Sequence, residues 1–223
     1  MTKAPRAGHV KTRLIPPLTP EEAAELNSCF LCDSAATIAK ARGASARGIG
    51  VYTPVGSEVA YIGVLPPDFE LLPQRGDGFG ERLAFAAEDL FRCGFSSICL
   101  IDSDSPTIPA DVYAQAVELL SRPNDHVVLG PSDDGGYYLI GLKRNHPELF
   151  EQIDWSTERV LAQTKKRAQE LNLEVSLLSA GYDVDDAPTL RRLCDELLSG
   201  GSGDDVAPRT RKFLAELTKE KKL

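Results

Sequence analysis

Two carboxylates one residue apart follow a short apolar run, and they are the strongest candidates in the chain for holding a metal ion. Asp102 and Asp104 come directly after Ser97–Ile101 and just before Pro106. Mg²⁺ and Mn²⁺ prefer oxygen ligands and commonly combine one or two carboxylates with substrate phosphates. The alternative is that Asp104 caps the following helix or turn while Asp102 is solvated. The distribution of charge in the rest of the chain favours the metal site.

A group of basic residues lies near the amino terminus of an otherwise acidic chain. The 223 residues carry a formal net charge of -8, yet the first 13 positions include Lys3, Arg6, Lys11 and Arg13. Guanidinium and ammonium groups suit phosphate oxygens, so Lys3, Lys11 and Arg13 are candidate substrate-binding residues. The alternative is a flexible basic terminus, but the apolar residues between Leu14 and Leu18 favour an anchored loop.

A glycine-rich turn at 76–80 precedes a predicted helix. Glycines let backbone amides approach a ligand, and a helix amino terminus favours anions. Gly80 and Arg82 are therefore candidate substrate-binding residues. A plain turn, with Arg82 or Glu81 in a structural pair, explains the same residues equally well.

A second dense segment places Asp133 and Asp134 directly before Gly135 and Gly136. A hairpin turn alone accounts for Asp-Gly. The whole run indicates that backbone and carboxylates contact a substrate hydroxyl or a metal-bound group. We expect Gly135 and Gly136 to bind substrate and Asp133 or Asp134 to act chemically.

A late acidic cluster, Asp183, Asp185 and Asp186, follows a predicted strand. A metal that bridges a diphosphate benefits from carboxylates that arrive from separate strands. One of these residues could therefore complete the coordination begun by Asp104. The alternative is that Asp185 or Asp186 caps the helix that starts near Pro188.

Composition restricts the function classes. Apolar residues make up 42% and charged residues 26% of the chain, as in ordinary soluble globular proteins. The acidic balance argues against a nucleic-acid partner, which selects a basic face, and no apolar run is long enough to span a membrane. Five cysteines form no even framework, so we expect reduced, buried thiols and a cytoplasmic location. We expect His126 and His146 to be surface residues.

The elements that position these residues alternate between strand and helix. The pattern predicts an α/β fold with a mainly parallel sheet. It places strands at 48–54, 69–74, 97–101, 127–130, 137–142 and 174–178, with 137–142 pairing with the strand before it. Helices are predicted from Thr19 to about Arg42, ending at Gly43, and at 81–92, 109–120, 157–171, 188–199 and 208–221. We expect one domain over 1–223, with a flexible linker at 199–205.

The motifs together resemble one bacterial family, the selenodomain-associated transferases, which are glycosyltransferase-like proteins of the GT-A fold. The matching segments are Lys3–Pro5, Val10–Leu14, Asp102–Pro106, Pro131–Gly141, Trp155–Thr157 and Asp183–Asp185. The resemblance implies a single GT-A domain with helices on both faces of the sheet. The same fold occurs in nucleotide-sugar glycosyltransferases and in nucleotidyltransferases.

The resemblance implies roles for individual residues. Lys11 and Arg13 would face donor phosphates, Asp102 and Asp104 would hold Mg²⁺ or Mn²⁺, and Asp185 would lie close by. The expected partners are a nucleotide or nucleotide-sugar donor and an unknown small-molecule acceptor. The expected reaction is glycosyl transfer from a nucleotide diphosphate sugar. The alternatives are nucleotidyl transfer with release of pyrophosphate, and a catalytically silent nucleotide-binding module.

One departure from the family concerns the amino terminus. Members usually begin with a short apolar strand before Lys-Ala-Pro, and here only Met1 and Thr2 precede Lys3. A sheet without that strand exposes unpaired backbone and weakens support for the phosphate loop. We expect either a start upstream of Met1 or an impaired copy, which the upstream reading frame would distinguish.

Overall fold

Strands and helices alternate along the chain, as the sequence pattern predicts. The computed structural model describes residues 1–41, 46–200, 203 and 205–221. Within these residues the strands are β1 Thr2–Lys3, β2 Ile49–Thr53, β3 Glu70–Pro73, β4 Ile98–Ile101, β5 His126–Pro131, β6 Tyr137–Leu142 and β7 Glu174–Leu177. The helices are α1 Pro20–Ala41, α2 Phe79–Arg92, α3 Ala110–Ser121, α4 Val160–Glu170, α5 Ala187–Leu198 and α6 Pro208–Lys221. Short 3-10 helices occupy Thr12–Leu14, Glu58–Tyr61 and Pro147–Phe150.

The strands form two sheets, ordered β1-β2-β3 and β4-β6-β5-β7. β1 pairs with β2, and β5 with β7, in parallel. β6 pairs antiparallel with both β4 and β5. Its pairing with β5 is antiparallel because only a short turn separates the two strands, and such a turn allows an antiparallel return. The α/β class is confirmed, and so is the pairing of β6 with the strand before it.

Local signals placed most element boundaries correctly. α1 begins at Pro20 because Thr19 and Glu22 form a capping box: Glu22 N donates to Thr19 Oγ1 at 3.2 Å, and Thr19 N donates to Glu22 Oε2 at 2.7 Å. α4 starts at Val160, three residues after the predicted start at Thr157. The predicted helix end at Gly43 lies outside the described residues, as do positions 201, 202 and 204 of the predicted linker.

The chain divides into two compact units, each assembled from separated segments. Unit 1 comprises Met1, Pro73–Asp102 and Asp111–Tyr182, and unit 2 comprises Thr2–Leu72, Ser103–Ala110 and Asp183–Leu223. The chain passes from unit 1 to unit 2 between Asp102 and Ser103. Neither unit is a continuous segment, so neither corresponds to a domain that a single cut in the sequence would separate.

Unit 1 is built on the sheet β4-β6-β5-β7. β5 lies between two neighbours and is apolar on both faces, and Val127, Val128 and Leu129 are fully buried. α2 contacts β4, and α4 contacts β7. The burial of each such side chain contributes about 1.5–3 kcal/mol, so this sheet is a rigid base for the loops at its ends.

Unit 2 is organised around α1. Ala23, Leu26 and Phe30 are fully buried at helical spacing, and α1 contacts α6 and the 3-10 helix Thr12–Leu14. A second apolar cluster joins Ala4, Leu31, Tyr52 and Tyr61. The amino-terminal basic segment is therefore an anchored loop, because Leu14 and Leu18 are buried.

The remaining expectations from composition meet mixed outcomes. All five cysteines are free: Cys32 is buried, Cys29, Cys99 and Cys194 are half-buried, and Cys93 is exposed. The expectation of buried thiols therefore holds for Cys32 alone, and the reduced state stays a prediction. His126 is 4% exposed within β5, so the expectation of a surface position was wrong; its Nδ1 lies 3.0 Å from the carbonyl of Asn124. In the part of the chain that the structure describes, no helix is both long and apolar enough to cross a membrane.

Candidate functional site

Lys11 occupies a turn that aims its side chain into unit 2. It precedes the 3-10 helix Thr12–Leu14 and has φ 47° and ψ 35°, in the left-handed region. A side chain with a Cβ is strained there by about 1–2 kcal/mol. Strain of this kind persists only where surrounding contacts hold it, and it is common at binding sites. The contacts of the Lys11 ammonium supply such a restraint.

A backbone hydrogen bond brings two distant carboxylates of unit 2 together. Val184 N donates to the carbonyl oxygen of Asp104 at 2.9 Å, which joins the segment after β4 to the segment before α5. Asp186 is the N-cap of α5 and accepts from Thr189 N at 2.9 Å. The cap role predicted as the alternative therefore falls to Asp186, and Asp185 is left beside Asp104.

The Lys11 ammonium lies between these two carboxylates. Its Nζ is 2.7 Å from Asp104 Oδ1 and 3.1 Å from Asp185 Oδ1, and it donates to the carbonyl oxygen of Val184 at 2.8 Å. An ammonium has three donors, so these contacts use all of them. The Lys11 side chain is only 4% exposed.

Burial and charge act in opposite directions on the Lys11 pKa. Burial lowers it, but the attraction and hydrogen bonds of Asp104 and Asp185 outweigh burial and raise the pKa above its ordinary value. The ammonium is therefore charged at neutral pH. Because a charge loses its hydration in the interior, it is costly there without partners, and the two carboxylates offset that cost.

The carboxylate pair does not fit a divalent cation as it is arranged. A metal bound through Asp104 Oδ1 and Asp185 Oδ1 would need the space that Lys11 Nζ occupies. Among the described residues, no group of three or more His, Cys, Asp or Glu side chains is arranged to hold a metal ion. The metal site predicted at Asp102, Asp104 and Asp185 stays a prediction.

A cavity of about 200 Å³ opens beside this cluster. Its lining is mostly basic and polar, and three of the lining residues, Lys3, Lys11 and Arg13, are predicted phosphate-binding residues. The full lining is Lys3, His9, Val10, Lys11, Thr12, Arg13, Asn27, Ser103, Asp104 and Asp185. The Arg13 side chain is 78% exposed and its Nη1 is 3.9 Å from Asp185 Oδ2. Unlike the ammonium of Lys11, this guanidinium is accessible to a ligand.

Asn27 is a lining residue that sequence reasoning missed. It is 4% exposed on α1, and its Oδ1 has no hydrogen-bond partner within the described chain. Buried polar atoms nearly always find a partner, so this unpaired oxygen, on a residue that lines the cavity, is a candidate acceptor for a bound water or a ligand. The signal available beforehand was an asparagine next to Leu26, within the buried stripe of α1.

The glycine-rich turn before α2, in unit 1, has its own internal partners. Glu81 Oε2 accepts from the backbone amides of Asp77 and Gly78 at 2.9 and 3.2 Å, and these bonds lower the Glu81 pKa. Arg82 Nε donates to the carbonyl oxygen of Gly76 at 3.1 Å. Two of the amides in this turn are thus used by the protein's own carboxylate, and the substrate-binding role of Gly80 and Arg82 stays a prediction.

Gly80 is required by packing. A Cβ at this position would lie 2.4 Å from Trp155 Nε1 and 3.0 Å from the carbonyl oxygen of Phe150. The ring of Trp155 also meets the ring of Phe79, with centroids 5.1 Å apart. This close approach explains the glycine without a ligand.

The Asp133–Gly136 segment forms the tight turn between β5 and β6. Asp134 Oδ1 accepts from Gly136 N at 2.8 Å, and Gly135 has φ +87° with its carbonyl accepting from Leu161 N at 2.8 Å. Both Asp133 and Asp134 are exposed. Asp134 therefore shapes the turn.

Asp102 belongs to unit 1, where it continues the pairing of β4 with β6. Its amide donates to the carbonyl oxygen of Tyr138 at 2.9 Å. Burial first, and the Asp102 charge second, raise the pKa of Tyr138 to about 12. Asp102 is half-buried. Because the Tyr138 pKa is raised, this tyrosine is neutral at physiological pH.

Several solved structures have the same fold as this chain. A proposed nucleotide-diphospho-sugar transferase from Desulfovibrio desulfuricans G20 is 28% identical, with a TM-score of 0.81 over 97% of this chain and 94% of that one. The fold is therefore that of a nucleotide-diphospho-sugar transferase, which confirms the predicted fold class.

Two more distant structures show the same fold alone. CMP:2-keto-3-deoxy-manno-octonic acid synthetase in complex with CTP is 11% identical, with a TM-score of 0.52 over 74% of this chain and 85% of that one. Rv0371c from Mycobacterium tuberculosis H37Rv is 17% identical, with a TM-score of 0.50 over 86% and 93%.

Family membership follows from the sequence match. No curated protein matches the chain. A family model does match residues 37–157, more than half of the chain, and its description is "uncharacterized protein conserved in bacteria (DUF2064)". The chain belongs to the DUF2064 family.

Proposed function

We propose that this protein is a glycosyltransferase that uses a nucleotide-diphosphate-sugar donor. The observation that carries the proposal is the likeness, over nearly the whole chain, to the proposed nucleotide-diphospho-sugar transferase from Desulfovibrio desulfuricans. A fold alone does not fix a reaction, so the residues of the cavity must supply the rest of the argument. The narrower name, selenodomain-associated transferase, and a cytoplasmic location belong to the same proposal.

The cavity of unit 2 supports binding of a diphosphate. Arg13 presents an exposed guanidinium at its wall, and Lys3 lines it as well. A guanidinium can donate two parallel hydrogen bonds to phosphate oxygens. The donor diphosphate would therefore meet Arg13 and Lys3, while the unpaired Asn27 oxygen would accept from a hydroxyl or N–H group of the same ligand.

The reaction would break one bond and form one. The acceptor oxygen attacks the anomeric carbon, and the bond from that carbon to the β-phosphate oxygen breaks. The nucleoside diphosphate leaves with the bonding electron pair, and its developing charge is met by the cavity cations. A general base takes the acceptor proton. The assignment of this role to Asp133 or Asp134, made from the sequence, stays a prediction.

Nucleotidyl transfer is the second candidate. Its support is that the CTP-bound synthetase has the same fold. In that reaction the acceptor attacks the α-phosphorus and pyrophosphate leaves. A third outcome, a silent nucleotide-binding module, would bind nucleotides without turnover.

Product identity distinguishes these candidates. Thermal-shift screening of nucleoside di- and triphosphates and nucleotide sugars, with and without Mn²⁺, selects a donor. Phosphorus NMR then follows that donor with a panel of acceptors. Nucleoside diphosphate supports glycosyl transfer, pyrophosphate overturns it in favour of nucleotidyl transfer, and tight binding without either product indicates the silent module. The Mg²⁺ or Mn²⁺ dependence expected from the sequence stays a prediction, which the paired metal conditions test.

A further inference from the structure

We propose that the Lys11 ammonium is the resident cation of the Asp104–Asp185 pair and that it excludes divalent metal ions from these carboxylates. The proposal concerns the protein and the metal alone, so it does not depend on which nucleotide the cavity takes. It rests on contacts within unit 2: Nζ lies 2.7 Å from Asp104 Oδ1 and 3.1 Å from Asp185 Oδ1.

All three hydrogen-bond donors of the Lys11 ammonium are used. Its third donor reaches the carbonyl oxygen of Val184 at 2.8 Å, and its side chain is 4% exposed. The Phe30 ring lies on another side of it, with the centroid 5.4 Å from Nζ. An ammonium moved from this place would lose all three hydrogen bonds at once, and a buried charge is costly without partners.

A metal ion and the Lys11 ammonium would compete for the same two oxygens, Asp104 Oδ1 and Asp185 Oδ1. Divalent cations bind carboxylate oxygens at about 2.0–2.6 Å, closer than the Lys11 contacts. A dication at Asp104 Oδ1 and Asp185 Oδ1 would therefore sit against Nζ. Two like charges at such a distance repel strongly in a partly buried site, so these two Oδ1 atoms hold one cation or the other.

Hydrogen bonds of the backbone hold the segments that carry Asp104 and Asp185. Val184 N donates to Asp104 O, and Asp186 with Thr189 fixes the start of α5. The left-handed conformation of Lys11 then points its side chain between the two carboxylates. Removal of the lysine side chain leaves the two carboxylates held side by side, which is the arrangement that a hard cation prefers.

Mn²⁺ binding by the metal-free full chain tests the proposal. Electron paramagnetic resonance counts free Mn²⁺ in titrations of wild type and Lys11→Ala without nucleotide. We expect no stoichiometric site in wild type and one site in Lys11→Ala, which binds Mn²⁺ at least about tenfold more tightly than any residual binding by wild type. Lys11→Met, which keeps much of the side-chain volume beside Phe30, serves as a second variant if Lys11→Ala fails to fold.

Two controls connect the gained site to the carboxylates. Lys11→Ala combined with Asp104→Asn should lose the new site. Lys3→Ala removes another lysine of the same cavity and should bind Mn²⁺ as wild type does. A stoichiometric wild-type site that Asp104→Asn removes overturns the proposal, and so does the absence of a Mn²⁺ site from the folded Lys11 variants.

Failure of this proposal is distinguishable from failure of the proposed function. Nucleotide binding is measured separately, by calorimetry in the presence of a chelator. Wild type that binds nucleotide and also holds Mn²⁺ at Asp104 contradicts only the assignment to Lys11. Wild type that binds no nucleotide contradicts only the proposed function.

Discussion

Asn27 carries an amide oxygen that is buried at the cavity wall with no partner in the described part of the chain. Such an oxygen costs about 1–3 kcal/mol of stability. We therefore expect Asn27→Leu to raise the free energy of unfolding by about 1 kcal/mol and to weaken binding of the selected nucleotide about tenfold. Urea unfolding and calorimetry measure the two effects.

A matched control exists on α6. Thr210 is fully buried, and its Oγ1 also lacks a partner among the described residues, but it does not line the cavity. Thr210→Val should raise stability by a similar amount and leave nucleotide binding unchanged. Equal affinity in wild type and Asn27→Leu would show that the amide oxygen does not meet the ligand.

Some features of the candidate site could be predicted from residue types in the sequence. The basic segment and the acidic residues at 104 and 185 could be identified by type, because charges suited to phosphates and metals are visible in a sequence. Their partnership could not, since Lys11 and Asp185 are 174 positions apart. Nothing in the local pattern distinguishes a lysine that faces phosphate from one held by two carboxylates.

At the scale of single elements, the β5–β6 turn makes a specific demand on Gly135. Its φ is +87°, and a Cβ would lie 2.2 Å from the carbonyl oxygen of Glu158. Gly135→Ala should therefore destabilise the protein by about 3 kcal/mol or more, because both backbone conformation and packing resist the change. Urea unfolding measures the loss.

Gly56 provides the matched control for that turn. It has φ +86°, but a Cβ there would meet no atom within 4 Å. Gly56→Ala should cost only the conformational part, about 1 kcal/mol. Similar losses for the two variants would contradict a packing role for Gly135.

The docking of α6 on α1 depends on one buried carboxylate. Asp33 is 2% exposed, and its two oxygens accept from Arg209 N at 3.1 Å and Thr210 N at 2.8 Å. A carboxylate is favourable at a helix amino terminus. We expect Asp33→Ala to lower the free energy of unfolding by about 2–4 kcal/mol, measured by urea unfolding.

The local cap of α5 is the comparison for Asp33. Asp186 is an exposed N-cap that bonds within its own turn, so Asp186→Ala should cost about 1 kcal/mol. An Asp33→Ala loss no larger than this would mean that α6 docks through its apolar side chains alone.

These two caps explain why elements were easier to predict than their docking. The Thr19–Glu22 box and the Asp186 cap act over three residues, so their signals lie together in the sequence. The Asp33 cap joins positions 177 residues apart, and Asp33 looks like any acid within a helix. The packing of Gly80 was likewise not predictable, because the Trp155 ring that a Cβ at this position would meet is far away in the chain.

At the scale of the whole molecule, two electrostatic effects oppose each other when a polyanion binds. The net charge of -8 repels it, while Arg13 and Lys3 at the cavity attract it. At physiological salt the screening length is about 8 Å, so distant charges are screened more than contacts within the cavity. Local attraction should therefore prevail, and it should itself weaken as salt is raised.

We expect affinity for the selected nucleoside diphosphate to fall several-fold between low and physiological salt, while affinity for the matching nucleoside stays constant. Arg13→Ala should weaken diphosphate binding about tenfold and flatten this salt dependence. Arg92→Ala, at an exposed arginine of α2 that pairs with Glu88, removes the same charge from unit 1 and should change neither quantity. Calorimetry at several salt concentrations measures both. Equal losses for nucleoside and diphosphate in Arg13→Ala would contradict a phosphate contact, because the lost interaction would then lie on the nucleoside.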